Sequence, residues 1–292
     1  MLTNLHTHTR FSDGSDEPIE YIREAARQGF SILGFTDHSP VPFENTFAIR
    51  EGRLPEYCDA ILGFKSKSTL SYQNLEKEFP ETRIPEILLG LEIDFIPGMT
   101  TPIAEYRKSC PFDYVIGSIH LIRGDDLSSL WFIDGPDISI YDKGLNEVFH
   151  NNVRKAITAY YRQVNEMVEV HQPDIVGHLD KVKMYNRGRY FSEADSWYLN
   201  LIDESLELIK QTGCVIEVNT RGLYKKRSDS LFPGPAVLKK VHALNIPVTV
   251  CSDAHKPQEL SLLFSDTCRL LKEIGFSTTI TRSSNGWVEM PL

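Results

Sequence analysis

The sequence predicts an α/β protein built on a parallel sheet, and three observations carry that prediction. Seven short apolar runs alternate with stretches of helical pattern along the 292 residues. The runs are continuously apolar rather than alternating, as strands buried on both faces are. Six of the seven lead straight into a histidine or a carboxylate, at the strand end where parallel α/β barrels build their sites.

The first run is residues 1–5. Ser15-Asp16-Glu17-Pro18 then offers cap residues, early acids and a first-turn proline, which predicts a helix with apolar positions Ile19, Ile22, Ala25 and Ala26, closed by Gly29. The second run is 31–35. After a loop rich in Pro, Asn and Glu, one mixed helical segment is expected over about 54–79. The third and fourth runs are 87–91 and 114–119. From 121 to 150 the pattern breaks into Gly, Asp and Ser, which predicts an irregular inserted loop. A helix over about 153–170 precedes the fifth run, 174–177, and the sixth and seventh are 213–219 and 246–251. A short further strand after Gly275 has no evident place. No repeat, low-complexity stretch or linker composition interrupts the chain, so 1–292 reads as a single domain.

Composition sets limits on function. Hydrophobic residues make up 41% and charged residues 24%, which suits a globular protein with a sizeable core. No apolar run reaches membrane-spanning length and no basic-then-apolar leader opens the sequence, so a cytoplasmic location without membrane partners is expected. The net charge of −9 disfavours an extended nucleic-acid track. Cys58, Cys110, Cys214, Cys251 and Cys268 are odd in number and include no Cys-x-x-Cys pair. They are expected to be reduced, mostly buried small residues, with neither a disulfide framework nor a thiolate metal site.

The strand ends carry the chemistry. His6 and His8 leave the same side of an extended backbone, with Asp13 in a turn beside Gly14. Chance supplies roughly 0.3 His-x-His pairs in a chain with this many histidines, so the pair alone decides nothing. The second run adds His38, the third Glu92, the fourth His120, the fifth His178, and the seventh Asp253 and His255. Separate burial of each would require a separate partner for each, whereas shared cations satisfy them together. Asp13 and these eight residues exceed the needs of one zinc and suit two or three divalent ions with a bridging carboxylate, for which Glu92 is the choice. Imidazole mixed with carboxylate favours zinc, manganese or iron. His150, His171 and His242 lie away from strand ends and are expected to be ordinary.

In this order of His-x-His, Thr36-Asp37-His38, a lone Glu92, Ser118-Ile119-His120, Gly177-His178 and Asp253-Ala254-His255, the chain resembles the PHP (polymerase and histidinol phosphatase) superfamily over nearly its whole length. Further stretches, Phe35 to Pro42, Gly90 to Phe95, Tyr160-Tyr161-Arg162 and Val218 to Leu223, are similar to its histidinol-phosphate phosphatases. The resemblance implies a distorted (β/α)7 barrel, a trinuclear metal centre, and hydrolysis of L-histidinol phosphate to L-histidinol and phosphate in histidine biosynthesis. Some relatives carry histidine where Asp13 stands. The implied chemistry is in-line attack by a hydroxide whose pKa the cations lower. From the residues themselves, Asp253 or Asp13 is the candidate to relay a proton to the leaving oxygen, and Arg162 and Arg221 are the candidates for binding phosphate, with Lys183, Lys181 and Arg187 after the fifth run as further ones. Glu217 or Asn219 is the candidate for recognising the substrate's amine and imidazole.

Two alternatives remain at this level. A metal centre of this kind also suits a phosphatase of another small, nucleotide-like monoester, and a phosphate-release panel separates the two. A non-catalytic metal-binding regulatory module is a different class, which missing ligands would favour. None of the nine is missing.

Overall fold

The structure, a computed structural model, describes residues 1–126 and 128–292, so position 127 of the expected loop lies outside the described residues. Its strands are β1 (Leu2–Asn4), β2 (Phe30–Phe35), β3 (Glu86–Asp94), β4 (Tyr114–Ser118), β5 (Leu121–Arg123), β6 (Leu130–Phe132), β7 (Ile175–Val176), β8 (Val215–Asn219), β9 (Val248–Cys251), β10 (Thr278–Ser283) and β11 (Gly286–Pro291). Its α-helices are α1 (Pro18–Gln28), α2 (Leu54–Lys65), α3 (Leu70–Glu78), α4 (Ile103–Ser109), α5 (Ile138–Phe149), α6 (Val153–Glu166), α7 (Ser196–Thr212), α8 (Arg221–Tyr224), α9 (Pro235–Ala243) and α10 (Phe264–Ile274). Seven strands share one sheet in the order β1-β2-β3-β4-β7-β8-β9. An isolated parallel bridge, Thr7 to Ala254, joins the ends of the first and last. There His8 N donates to Ala254 O at 2.8 Å and Ala254 N donates to His6 O at 3.2 Å. The fold is a nearly closed barrel of seven parallel strands, as the apolar runs predict.

The chain divides into two compact units, the first made of Met1–Ile93, Thr101–Ile116 and Thr249–Leu292, the second of Asp94–Thr100 and Gly117–Val248. In the first, α1 begins at Pro18 and ends where Gly29 takes φ +75°, a left-handed turn that glycine adopts without strain. It buries Tyr21, Ile22, Ala25 and Ala26 against Phe30, Leu33 and Phe35, at ~1.5–3 kcal/mol for each large side chain. The expected 54–79 helix is instead two helices. Lys67 at φ +58° breaks the run, and Thr69 restarts it by accepting a hydrogen bond from Tyr72 N at 3.1 Å. The unplaced tail is the antiparallel hairpin β10–β11.

Cys58 and Cys110 form a disulfide between α2 and the residue that follows α4, which corrects the expectation of five reduced thiols. They are 52 residues apart, so no local spacing announces the pair. Cys214, Cys251 and Cys268 take no part in a disulfide among the described residues.

Glycine is required at Gly34. Tyr114 Oη donates to Leu5 O at 2.5 Å, and a Cβ at Gly34 would fall 1.9 Å from that phenolic oxygen. Gly34→Ala is therefore expected to cost about 3 kcal/mol in urea unfolding. Tyr114→Phe leaves the Leu5 carbonyl short of a donor and should cost about 1–3 kcal/mol. Because the phenolic oxygen is the atom in the way, the double variant should lose less than the sum. Strict additivity would refute this account of the strand packing.

In the second unit, the expected 121–150 loop is the hairpin β5–β6 followed by α5. Asp137 caps α5 by accepting from Ser139 N, and Tyr141, Leu145 and Phe149 form its buried face. Trp131 of β6 is fully buried and donates from its indole to Tyr141 O at 2.9 Å. Glycine and aspartate at the turns hide this order from composition. The helix expected to reach 170 ends at Glu166 and continues as a wider turn over Met167–His171.

Candidate metal centre

Seven of the nine predicted ligands gather in the first unit. The Thr7–Ala254 bridge interleaves the two ends of the chain, so His6 and His8 come to face Asp253 and His255. Asn4 secures the pairing by donating from Nδ2 to Ser252 Oγ at 2.7 Å and to Leu260 O at 3.1 Å. A second bridge, His38 to Glu92, joins the next two strand ends, with Ser39 N donating to Glu92 O at 2.7 Å. Glu92 occupies the middle. Its Oε1 lies 3.3 Å from His6 Nε2, while Oε2 lies 3.4 Å from His8 Nε2 and 3.0 Å from His38 Nδ1. Asp253 Oδ1 stands 3.3 Å from His8 Nε2 and 3.4 Å from His255 Nδ1. Asp13 Oδ1 stands 3.0 Å from His255 Nε2 and 3.9 Å from both His8 Nδ1 and His38 Nε2.

These separations test the fit to a cation. Two ligands each about 2.1 Å from one ion stand about 3.0–3.4 Å apart at octahedral or tetrahedral angles. The sets His8, Asp13, His38, His255 and His6, His8, Asp253 each offer ligand atoms within 4.8 Å of one another. Both ring nitrogens of His8 are buried without a hydrogen bond of good geometry. Burial, then the His255 and His38 imidazoles, push its pKa down to about 3, so the ring is neutral and its lone pair is open to a metal. Burial works to raise the Asp13 carboxyl, yet His255, then His38 and His8, hold it well below the usual carboxylate range. The donor set therefore fits divalent ions. Asp253 has φ +53°, a left-handed backbone that a residue with a side chain holds only under constraint.

Asp37 supports this cluster. Its carboxylate accepts from the backbone N and hydroxyl of both Thr9 and Ser12, and burial, opposed by these hydrogen bonds, pushes its pKa up to about 6. Gly14 is needed because any Cβ there would fall 2.2 Å from His8 O.

The second unit brings together His120 and His178, whose Nε2 atoms are 3.1 Å apart. Asp94 Oδ1 stands 2.5 Å from His120 Nδ1 and orients that ring, the partnership metal-ligating histidines usually have. His178 has φ +23°, and its backbone N donates to Glu217 Oε2 at 2.8 Å. Glu217 also accepts from Asn219 Nδ2, and Asn219 Oδ1 accepts from Arg221 N at 2.8 Å. The pair thus braces the strand end beside His178.

Asp134 is the residue that sequence reading missed. Its Oδ2 is 2.8 Å from Lys181 Nζ and 3.8 Å from His120 Nε2, and its Oδ1 is 3.7 Å from an Arg227 guanidinium nitrogen. Burial would raise its pKa, but Lys181, His120 and Arg221 pull it below the ordinary value. It sits in the segment read as an irregular loop, where only its place just after β6 could have signalled it.

The three phosphate-binding candidates fare differently. Arg221 lies on α8 with its guanidinium 3.3 Å from Tyr224 Oη and in the field of Asp134. Arg162 is exposed on α6, between the buried Tyr161 and Gln163, away from the contacts of the Asp134 group. Lys183 is spent elsewhere. Its buried ammonium reaches Asp180 at 2.9 Å, Glu193 at 3.1 Å and Ser230 Oγ at 2.8 Å, and although burial opposes it, the two carboxylates raise its pKa. Lys183→Met is expected to destabilise the fold by about 3–5 kcal/mol, because it strands the buried Asp180 charge. KM should stay near the wild-type value. A raised KM with unchanged urea midpoint would return Lys183 to the substrate.

Comparison with known proteins places this arrangement. The model of the PHP domain family matches residues 4–221. The probable histidinol-phosphatase of Deinococcus radiodurans is 27% identical over 284 residues, covering 96% of each chain. The histidinol-phosphatase of Bacillus subtilis is 26% identical over 277 residues, covering 89% of this chain and 95% of its own. The crystal structure of histidinol phosphate phosphatase from Lactococcus lactis, complexed with zinc, L-histidinol and phosphate, superposes with a TM-score of 0.67 at 22% identity over 98% of both chains. With the family's motif residues gathered at the strand ends and its model spanning most of the sequence, the chain belongs to the PHP domain family.

Proposed function

We propose that this protein hydrolyses the phosphate monoester L-histidinol phosphate to L-histidinol and phosphate, with 1–292 acting as a single catalytic domain. The observation that carries the hydrolytic chemistry is the convergence of His6, His8, Asp13, His38, Glu92, Asp253 and His255, buried except for Asp13 and His255 at its edge. The names of the full-length relatives from Deinococcus radiodurans and Bacillus subtilis support the substrate. His6, His8, His38 and His255, with Glu92, Asp13 and Asp253, would hold two divalent ions. His120 and His178, oriented by Asp94 and Glu217, would contribute to a further one. When bound, such ions supply Lewis acidity and lower the pKa of water toward neutrality.

The chain's own residues do the rest. Glu92 spreads one negative charge over three imidazoles. Asp13, held ionised, serves as a ligand and not as the proton donor. Asp253 keeps the proton-relay role. Arg221 keeps the phosphate-binding role expected of it, and Lys181, gathered with it by Asp134, takes the place of Arg162 and Lys183 as the second cation offered to phosphoryl oxygens. No helix among the described residues is long and apolar enough to cross a membrane, and a cytoplasmic place suits a biosynthetic hydrolase of a small metabolite.

The test is phosphate release from L-histidinol phosphate beside nucleotide and sugar monoesters, with metal content measured on the same preparation. Preference for histidinol phosphate with two to three ions per chain is the expected result. Turnover of another monoester alone would overturn the substrate, and bound metal without hydrolysis would overturn the enzyme.

A further inference from the structure

Asp13 differs from the other ligand candidates around it. It lies on a turn and its side chain is 32% exposed, whereas those of His8 and His38 are 0% and 7% exposed. A carboxylate on an exposed turn has conformational freedom to lose when it binds, unless its backbone is already fixed. Asp37 does the fixing. Its Oδ1 accepts from Thr9 N at 2.9 Å, Ser12 N at 3.0 Å and Ser12 Oγ at 2.6 Å, and Thr9 Oγ1 donates to its two oxygens at 3.1 and 3.0 Å. Ser12 immediately precedes Asp13, and the turn is closed by Gly14 N donating to Thr9 O at 2.9 Å. Asp37 is itself immobile. It is fully buried between Thr36, whose N donates to Thr7 O at 2.9 Å, and His38, and its carbonyl accepts from Glu92 N at 3.2 Å.

We infer that Asp37 is a positioning residue. It fixes the 9–12 turn so that the Asp13 carboxylate stays among His8, His38 and His255, and it thereby sets the metal affinity of that group. This rests on the proposed reading of His8, Asp13, His38 and His255 as a metal site. The Asp37 carboxylate is committed to Thr9 and Ser12, one residue from the Asp13 ligand. Because Asp37 also precedes His38 and its carbonyl accepts from Glu92 N, the Asp13→Ala background is what isolates the route through the turn.

That route gives the test. The metal-free full chain, with Asp37→Asn, Asp13→Ala, the double variant and the parent sequence, is titrated with Mn2+ in competition with a chromophoric chelator, and each metal-free form is melted by circular dichroism. In Asp37→Asn, one class of ion should weaken by about 10–100-fold, as loss of a residue supporting a ligand does. The double variant should bind no more weakly than Asp13→Ala alone. Ser12→Ala and Thr9→Val, each removing one hydroxyl donor, should weaken the same class by less, and they carry the test should Asp37→Asn not fold. A lowered melting point with every ion class unchanged would show a merely structural role and overturn the inference. So would an equal further loss of affinity on the Asp13→Ala background. If Asp13→Ala itself leaves ion number and affinity unaltered, the reading of the group as a metal site fails instead.

Discussion

Replacing Glu92 with alanine is expected to lower kcat/KM for L-histidinol phosphate by at least about 10³-fold, equivalent to ~4 kcal/mol of lost transition-state stabilisation. The size follows from position. One carboxylate stands within 3.4 Å of His6, His8 and His38, so its removal leaves three buried imidazoles without the negative charge between them. Any ions they hold would lose a shared ligand together. Metal content should drop by one or more ions per chain. Glu92→Gln separates charge from packing, since it keeps the volume while removing the charge and one acceptor. It should fall nearly as far as the alanine variant. Phosphate release and elemental analysis on the same preparations check both statements. A glutamine variant with full metal content and more than about a tenth of parental activity would show that Glu92 only fills space.

Stripping the metal should change stability as well as activity. Ligands that converge only in the folded chain make every bound ion a contribution to folding, worth about 4 kcal/mol per site at a free metal concentration 1,000 times Kd. For a domain of this size that is on the order of 10 °C in Tm. Dialysis against a chelator should therefore abolish phosphate release and lower the melting point, and excess Zn2+ or Mn2+ should restore both. The Arg221 and Lys181 side of the chemistry makes no such contribution, so inorganic phosphate added to the metal-free protein should raise Tm by no more than a few degrees. Unchanged activity after removal of all detectable metal would sink the functional reading outright.

The residues gathered at the strand ends were legible because each is local. An apolar run announces a strand, and the residue ending it is placed by the barrel without further information. Contacts made by loops and helices carry no such rule. Lys181 and Lys183 are two positions apart in one tight turn, Lys181–Lys183, and both are buried. One pairs with Asp134 and the other with Asp180 and Glu193. Only three-dimensional packing distinguishes them. Arg162 is a related case, because helical phase places its neighbours Tyr161 and Gln163 inward and leaves the arginine exposed, which its sequence neighbours do not announce. Asp134 lay in a segment where Gly124, Asp125 and Asp126 fall between the strands of a hairpin and Gly135 and Asp137 lead into a helix, a pattern read from composition as the absence of structure. The Cys58–Cys110 pair spans two helical segments and a strand, with nothing in its spacing to mark it.

The bridge between Thr7 and Ala254 has a consequence for how such a chain becomes active. His6 and His8 are made well before their carboxylate partner Asp253, which follows only after 244 further residues, 9 to 252, have been added. Until the last strand arrives, β1 has a bare edge and two imidazoles with half of their ligand set. Native contacts of such length form late, after a slow closure. A ribosome-bound fragment ending before residue 248 should therefore hold metal poorly whatever else of it has folded. Loading the centre then doubles as proof that translation has passed the last strand of the sheet, and chains arrested before it are left without a working hydrolase.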